Sequence, residues 1–120
     1  MAKTILVIDD SPTEMRLMTG ALQGKGYRIV SATDGEEGFA RAVAERPDLI
    51  LLDVVLPKKN GFQVCRQLKT SPETKDIKVI LVTSKNEEAD RFWGLRQGAD
   101  EYLTKPFNED DLLKAVSRNV

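Results

Sequence analysis

Three stretches of this chain are short, apolar and unbroken: Ile5-Leu6-Val7-Ile8, Leu49-Ile50-Leu51-Leu52 and Val79-Ile80-Leu81-Val82. Runs this short, bounded by turn or polar residues, read as strands buried on both faces, as in a parallel sheet. Parallel neighbours need crossovers long enough to hold a helix. The segments between the runs supply them, each opening with a capping residue and an acid or amide three positions on. Ser11-Pro12-Thr13-Glu14 predicts a capping box with proline at the first helical position, and the helix continues through Met15, Met18 and Leu22 to about Gln23. Asp34 with Glu37, Asn60 with Gln63, Ser84 with Glu87, and Asn108 with Asp111 predict four more starts. Stops come at Gly24-Lys25-Gly26, Arg46-Pro47 and Gln97-Gly98-Ala99, and Ser71 to Asp76 is a polar connection. Tyr27 to Ala32 mixes polar and apolar positions, as an edge strand flanking the first one would, and Glu101 to Thr104 is the last strand. Five strands alternating with five helices predict a single doubly wound α/β domain, a parallel sheet with helices on both faces.

In such folds ligands bind outside the carboxyl ends of the strands. Here the first strand ends in Asp9-Asp10, the third in Asp53, the fourth in Thr83 and the fifth runs into Lys105. Three carboxylates gathered at one rim repel one another unless a cation joins them, so the pattern predicts a divalent metal site. Taken singly these residues are bland: Asp9-Asp10 suits a helix N-terminus, Thr83 a strand end, and Lys105 a solvated lysine with a buried stem. Their convergence from four places on one rim gives them functional weight.

Bulk properties narrow the chemistry. The 120 residues, 41% of them hydrophobic, suffice for one domain with a core. Eighteen lysines and arginines against nineteen acids give a net charge of −1, without the basic excess that binding nucleic-acid backbones requires. Histidine is absent, which removes histidine-based triads and the commonest zinc ligand. The lone Cys65 excludes an intrachain disulfide and reads as a small buried hydrophobe, and no apolar run reaches the length of a membrane span. With no signal-peptide pattern, the expected location is cytoplasmic.

Asp9-Asp10, the isolated Asp53 with Pro57 and Gly61 behind it, Thr83-Ser84, and Lys105-Pro106 together resemble the receiver domain of CheY-like response regulators, over essentially the whole chain. Within that family, Asp9 to Met15 and Trp93 to Ala99 are most similar to twitching-motility and phototaxis regulators of the PilH type. The resemblance implies a flavodoxin-like fold with strand order 2-1-3-4-5, spanning residues 1–120 with no output domain. It implies that Asp53 is the nucleophile that accepts a phosphoryl group from a histidine kinase, in this class one of CheA type. Mg²⁺ is the implied cofactor, with Asp10, Asp53 and the Val55 carbonyl as direct ligands and Asp9 acting mostly through water. Lys105 would neutralise one phosphoryl oxygen, Thr83 would donate a hydrogen bond to another, and a cis bond before Pro106 would aim Lys105 into the crevice. Thr83 and Tyr102 would form the switch, and Lys85, Trp93 and Tyr102 would lie on or near the output face of fourth helix, fifth strand and fifth helix.

The expected role is thus a phosphorylation-activated signalling switch, catalysing only its own modification, in motility or taxis control. Its partners would be the kinase and a downstream protein target, without nucleic acid or membrane insertion, and the chain itself would be a monomer. A phosphate sink that drains a sister regulator is an alternative output. A haloacid-dehalogenase-type phosphatase also pairs an aspartate nucleophile with Mg²⁺, a hydroxyl and a lysine, but it needs a second aspartate two residues on, where this chain has Val55. A nucleotide-binding domain would need a G-x-x-x-x-G-K-[ST] loop, which is missing.

Overall fold

The structure is a computed structural model that describes residues 2–120. Five parallel strands, β1 (Thr4–Ile8), β2 (Arg28–Ala32), β3 (Leu49–Leu52), β4 (Lys78–Thr83) and β5 (Glu101–Thr104), form one sheet in the order β2-β1-β3-β4-β5. Helices α1 (Pro12–Gln23), α2 (Gly35–Glu45), α3 (Gly61–Thr70), α4 (Glu88–Arg96) and α5 (Glu109–Asn119) follow the strands in turn. This is the flavodoxin-like arrangement that the resemblance to receiver domains implies.

The two-residue period of a strand distributes the apolar runs between two layers. Ile5, Val7, Leu49, Leu51, Ile80 and Val82 pack with Met18 and Leu22 of α1 and with Leu112, Ala115 and Val116 of α5. Leu6, Ile8, Ile50, Leu52, Val79 and Leu81 pack on the opposite side with Ala42 of α2 and with Val64, Cys65 and Leu68 of α3. Every residue of β3 is buried, which is why that run shows no alternation. Full burial of such a side chain stabilises the fold by about 1.5–3 kcal/mol. β2 lies at an edge, consistent with its mixed composition.

The helix starts follow the caps, with two differences. Asn60 and Gln63 form a complete reciprocal box at α3, and Asp34 and Asn108 accept from the N–H groups three residues on. At α1, Ser11 Oγ accepts from Glu14 N at 3.3 Å, but the Ser11 N–H donates to Asp9 Oδ1 at 2.9 Å, so the expected box is only half formed. At α4 the cap is Glu87 instead of Ser84, and the Glu87 N–H donates to Asp90 Oδ2 at 3.3 Å. The helix therefore starts later than the sequence suggests. Tyr27, expected in β2, precedes it; its N–H donates to Leu22 O at the end of α1.

Candidate functional site

The sheet register brings the strand ends together. Ile8 pairs with Leu52, Leu52 with Leu81 and Thr83 with Thr104, so the residues following β1, β3 and β5 and the last residue of β4 emerge on one rim. Backbone bonds tie the exits: Asp53 N donates to Ile8 O at 3.0 Å, and Lys105 N to Thr83 O at 2.8 Å.

At this rim one carboxylate oxygen from each of Asp9, Asp10 and Asp53 lies within 4.8 Å of the others. Asp9 and Asp53 are buried, with 1% and 8% of their surfaces exposed, while Asp10 faces solvent. One cation meets the group. Lys105 Nζ lies 2.8 Å from Asp9 Oδ2, 3.2 Å from Asp53 Oδ2 and 4.0 Å from Glu14 Oε2. Burial disfavours its charge, but the hydrogen bond to Asp9 and the charges of Asp53 and Asp9 outweigh that and raise its pKa above the ordinary 10.5. The ammonium is thus fully retained at neutral pH. The Lys105-Pro106 peptide is cis.

Asp53 is held in a tight turn. Its Oδ1 accepts from Val55 N at 3.2 Å, and Gly61 N donates to Val54 O at 2.8 Å. A β-carbon on Gly61 would stand 2.1 Å from Asp53 O, so only glycine lets α3 begin this close to the acid. Val55 is 54% exposed, leaving the approach to Asp53 open.

The donors suit a hard divalent ion. All are oxygens, and two ligands across an octahedral Mg²⁺ stand about 4.2 Å apart, twice a bond of about 2.1 Å. Three carboxylates whose oxygens lie within 4.8 Å of one another are grouped closely enough to surround such an ion. Asp9 and Asp53 are both engaged by Lys105, Asp9 also by Ser11 N and Asp53 by Val55 N, while Asp10 faces solvent.

Thr83 is fully buried, and its Oγ1 accepts from Lys85 N at 3.4 Å. Tyr102 is also buried, with its hydroxyl donating to Lys85 O at 2.6 Å. Burial, then the charge of Asp90, raises the phenol pKa against the opposing charge of Arg91. Gly94 makes room for the ring, since a β-carbon there would lie 2.7 Å from Leu81 Cδ1 and 3.0 Å from Tyr102 Cδ2. Thr83, Lys85 and Tyr102 thus form one connected group. Trp93 stands apart from it. At about 100° per residue, Trp93 lies on one flank of Gly94 while Arg91, which sits over the Tyr102 ring at 5.2 Å, lies on the other.

Two participants escaped the sequence reading. Glu14 reads in the sequence as a capping residue, yet its carboxylate lies toward Lys105; an acid one turn beyond Asp9-Asp10 is the available signal. Arg91 Nη1 donates to Tyr102 O at 3.1 Å, and nothing local marks it among the other charges of α4.

A doubly wound sheet whose rim carries an acid trio, a buried hydroxyl and a lysine defines an α/β domain with an acidic pocket at the carboxyl ends of its strands. Residues 5–117 match the response regulator receiver domain, and the chain belongs to that family. It is 50% identical over 113 residues to protein PilH of Pseudomonas aeruginosa, covering 94% of this chain and 93% of that one. Among solved structures it is similar to the chemotaxis protein CheY4 of Vibrio cholerae, with a TM-score of 0.93, 30% identity and full coverage of both chains. It is also similar to the receiver domain of sensor histidine kinase PA1611 of P. aeruginosa, with a TM-score of 0.92, 28% identity and coverage of 99% and 98%. That structure has a magnesium ion coordinated in its active-site cleft. Other curated relatives are longer proteins, of which the chain spans about half or less. Receiver domains are signalling switches that bind Mg²⁺ at an acidic pocket, and this chain carries that acidic cluster. No helix among the described residues is long and apolar enough to cross a membrane.

Proposed function

We propose that Asp53 accepts a phosphoryl group from the phosphohistidine of a partner kinase and that the adduct resets the face around Tyr102. An Asp53 oxygen attacks phosphorus; the new O–P bond forms as the N–P bond breaks, and the departing imidazole nitrogen keeps the electron pair and takes up a proton from water. Lys105 Nζ, 3.2 Å from Asp53 Oδ2, is close enough to transfer its hydrogen bond to an incoming phosphoryl oxygen. Thr83 Oγ1 accepts from Lys85 N, so its own proton is available to a second phosphoryl oxygen. Asp10, Asp53 and the Val55 carbonyl would hold Mg²⁺ directly and Asp9 through water, and the ion supplies positive charge against the negative charge of the transferring group. The carrying observation is the meeting of Asp9, Asp10, Asp53 and Lys105 at one rim.

In this reading Thr83 and Tyr102 are the switch. The phosphoryl group stabilises the state with Thr83 turned toward it and Tyr102 inward, and it shifts the population only by that difference. The α4–β5–α5 face, including Lys85, then binds a downstream protein in the cytoplasm. Likeness to PilH and CheY4 favours motility or taxis as the setting and a CheA-type kinase as donor. The phosphate-sink output rests on the same chemistry. The phosphatase reading is disfavoured by Val55, which cannot move a proton where such enzymes need an acid. Counting phosphate released from acetyl phosphate with Mg²⁺ present separates the receiver readings, switch or sink, from the phosphatase. Slow release through one adduct per chain is expected, with Thr83→Ala still phosphorylated but answering weakly at its partner. Rapid multiple turnover, or a Thr83→Ala phosphoprotein that binds as well as wild type, would contradict the scheme.

A further inference from the structure

The outward side of α4 carries apolar surface that the switch does not use. Phe92 is 63% exposed and Trp93 53%, on a helix whose buried side seats Gly94 against Leu81 and Tyr102. Four residues before Phe92 is Glu88 and four after it is Arg96, both exposed. Residues at this spacing share one stripe of a helix. Neither Glu88 nor Arg96 makes an ion pair among the described residues, although Arg96 lies over the Phe92 ring at 5.8 Å.

The stripe is its own complement. When two copies of α4 cross antiparallel at Phe92, each charge stands about 6 Å along the axis from the crossing point. Glu88 then faces Arg96 of the second copy, and Arg96 faces its Glu88. The two aromatic rings meet between the pairs, and the antiparallel helix dipoles add a favourable term. An unrelated protein would match this order of acid, aromatic and base only by having evolved to it; a second copy matches by symmetry.

We propose that α4 is a self-association surface on which two copies of this chain pair through Glu88, Phe92 and Arg96. The contact uses the outward stripe of one short helix, so it is a weak dimer that leaves Asp53, β5 and α5 free. It does not depend on phosphorylation.

The test is sedimentation velocity of the Mg²⁺-free chain from micromolar to millimolar concentration. The emission of Trp93, the only tryptophan, is followed in parallel. Sedimentation should rise toward a dimer as the emission shifts to shorter wavelength, and Phe92→Asp should weaken pairing at least about tenfold. Glu88→Arg and Arg96→Glu should each weaken it, because like charges then face one another. Mixing those two variants should restore pairing, since every facing pair is again opposite in sign. Circular dichroism melts identify any variant that has lost its fold, and the mixing arm then decides. A monomer at every concentration, a dimer indifferent to Phe92→Asp, or a mixture that pairs no better than its components would overturn the proposal.

Discussion

The two ends of the sheet treat acids in opposite ways. At the amino ends of the strands Asp48 and Asp100 are satisfied. Asp48 Oδ2 accepts from Thr4 N at 2.8 Å, with Lys3 at 4.0 Å; Asp100 Oδ2 accepts from both Val79 N and Lys69 Nζ at 2.8 Å, with Lys78 at 3.8 Å from its other oxygen. At the carboxyl ends Asp9, Asp10, Asp53 and Glu14 gather around the single ammonium of Lys105. The first arrangement ties down strand starts and closes the lower edge of the fold. The second sets four carboxylates against one ammonium, an excess of like charge that the hydrogen bonds to Ser11 N and Val55 N do not neutralise. Charge left unpaired at such cost belongs to a site that waits for a cation.

The contrast can be broken from either end. The largest effect is expected for Lys105→Met. It leaves the buried Asp9 without its cation and should cost about 3 kcal/mol in urea unfolding without metal. Part of that loss should return with saturating Mg²⁺, because a bound ion stabilises the folded state by mass action. An equal loss with and without metal would mean that the lysine is merely structural. Asp100→Ala comes next. Lys69 keeps its bond to Ile77 O but loses its carboxylate, and Val79 N loses its acceptor, so about 2 kcal/mol should go, with no metal dependence and no change in phosphoryl uptake.

Acid titration sharpens the same point. Burial disfavours the Asp100 carboxylate, but hydrogen bonds from Lys69 and Val79 and the charges of Lys69 and Lys78 prevail and hold its pKa below the ordinary 3.8. A carboxylate depressed on folding adds stability that is full above its unfolded pKa and disappears as pH falls through its folded value. The wild-type stability curve should therefore drop below about pH 4, and Asp100→Asn should flatten that part of it. An unchanged acid limb would remove Asp100 from the account. The smallest effect is reserved for Asp10→Asn. Removing one exposed member of the crowded trio should leave metal-free stability unchanged or slightly raised while abolishing the gain from Mg²⁺; a variant that still gains would show that Asp10 is not a ligand.

How far the sequence anticipated this molecule depended on the range of the interaction. The strands were legible because burial on both faces writes an unbroken apolar run, and the rim was legible because parallel strands must end together. Ser84 shows where local reading fails. Ser84 with Glu87 and Glu87 with Asp90 are overlapping capping frames, and the choice is made from afar: Tyr102 OH takes the Lys85 carbonyl and Thr83 Oγ1 its N–H, which keeps this stretch out of the helix. Glu14 was hidden for a similar reason. Asp9 took the backbone donor that the box required, and Lys105, which Glu14 approaches, lies on the far side of the fold in sequence. Trp93 and Arg91 lie on opposite flanks of Gly94, a distinction that a 100° helical step writes into the sequence but that only the contact of Arg91 with Tyr102 makes readable.

The central claim is that uncompensated acid at the rim recruits magnesium and so enables one carboxylate to take phosphorus. The direct measurement is the intact mass of the chain after exposure to acetyl phosphate with Mg²⁺ or with a chelator, followed by peptide mapping. The account predicts one added phosphoryl group, on Asp53, in magnesium alone and none in Asp53→Asn. Equal uptake with the chelator present, or uptake that survives in Asp53→Asn, would contradict it.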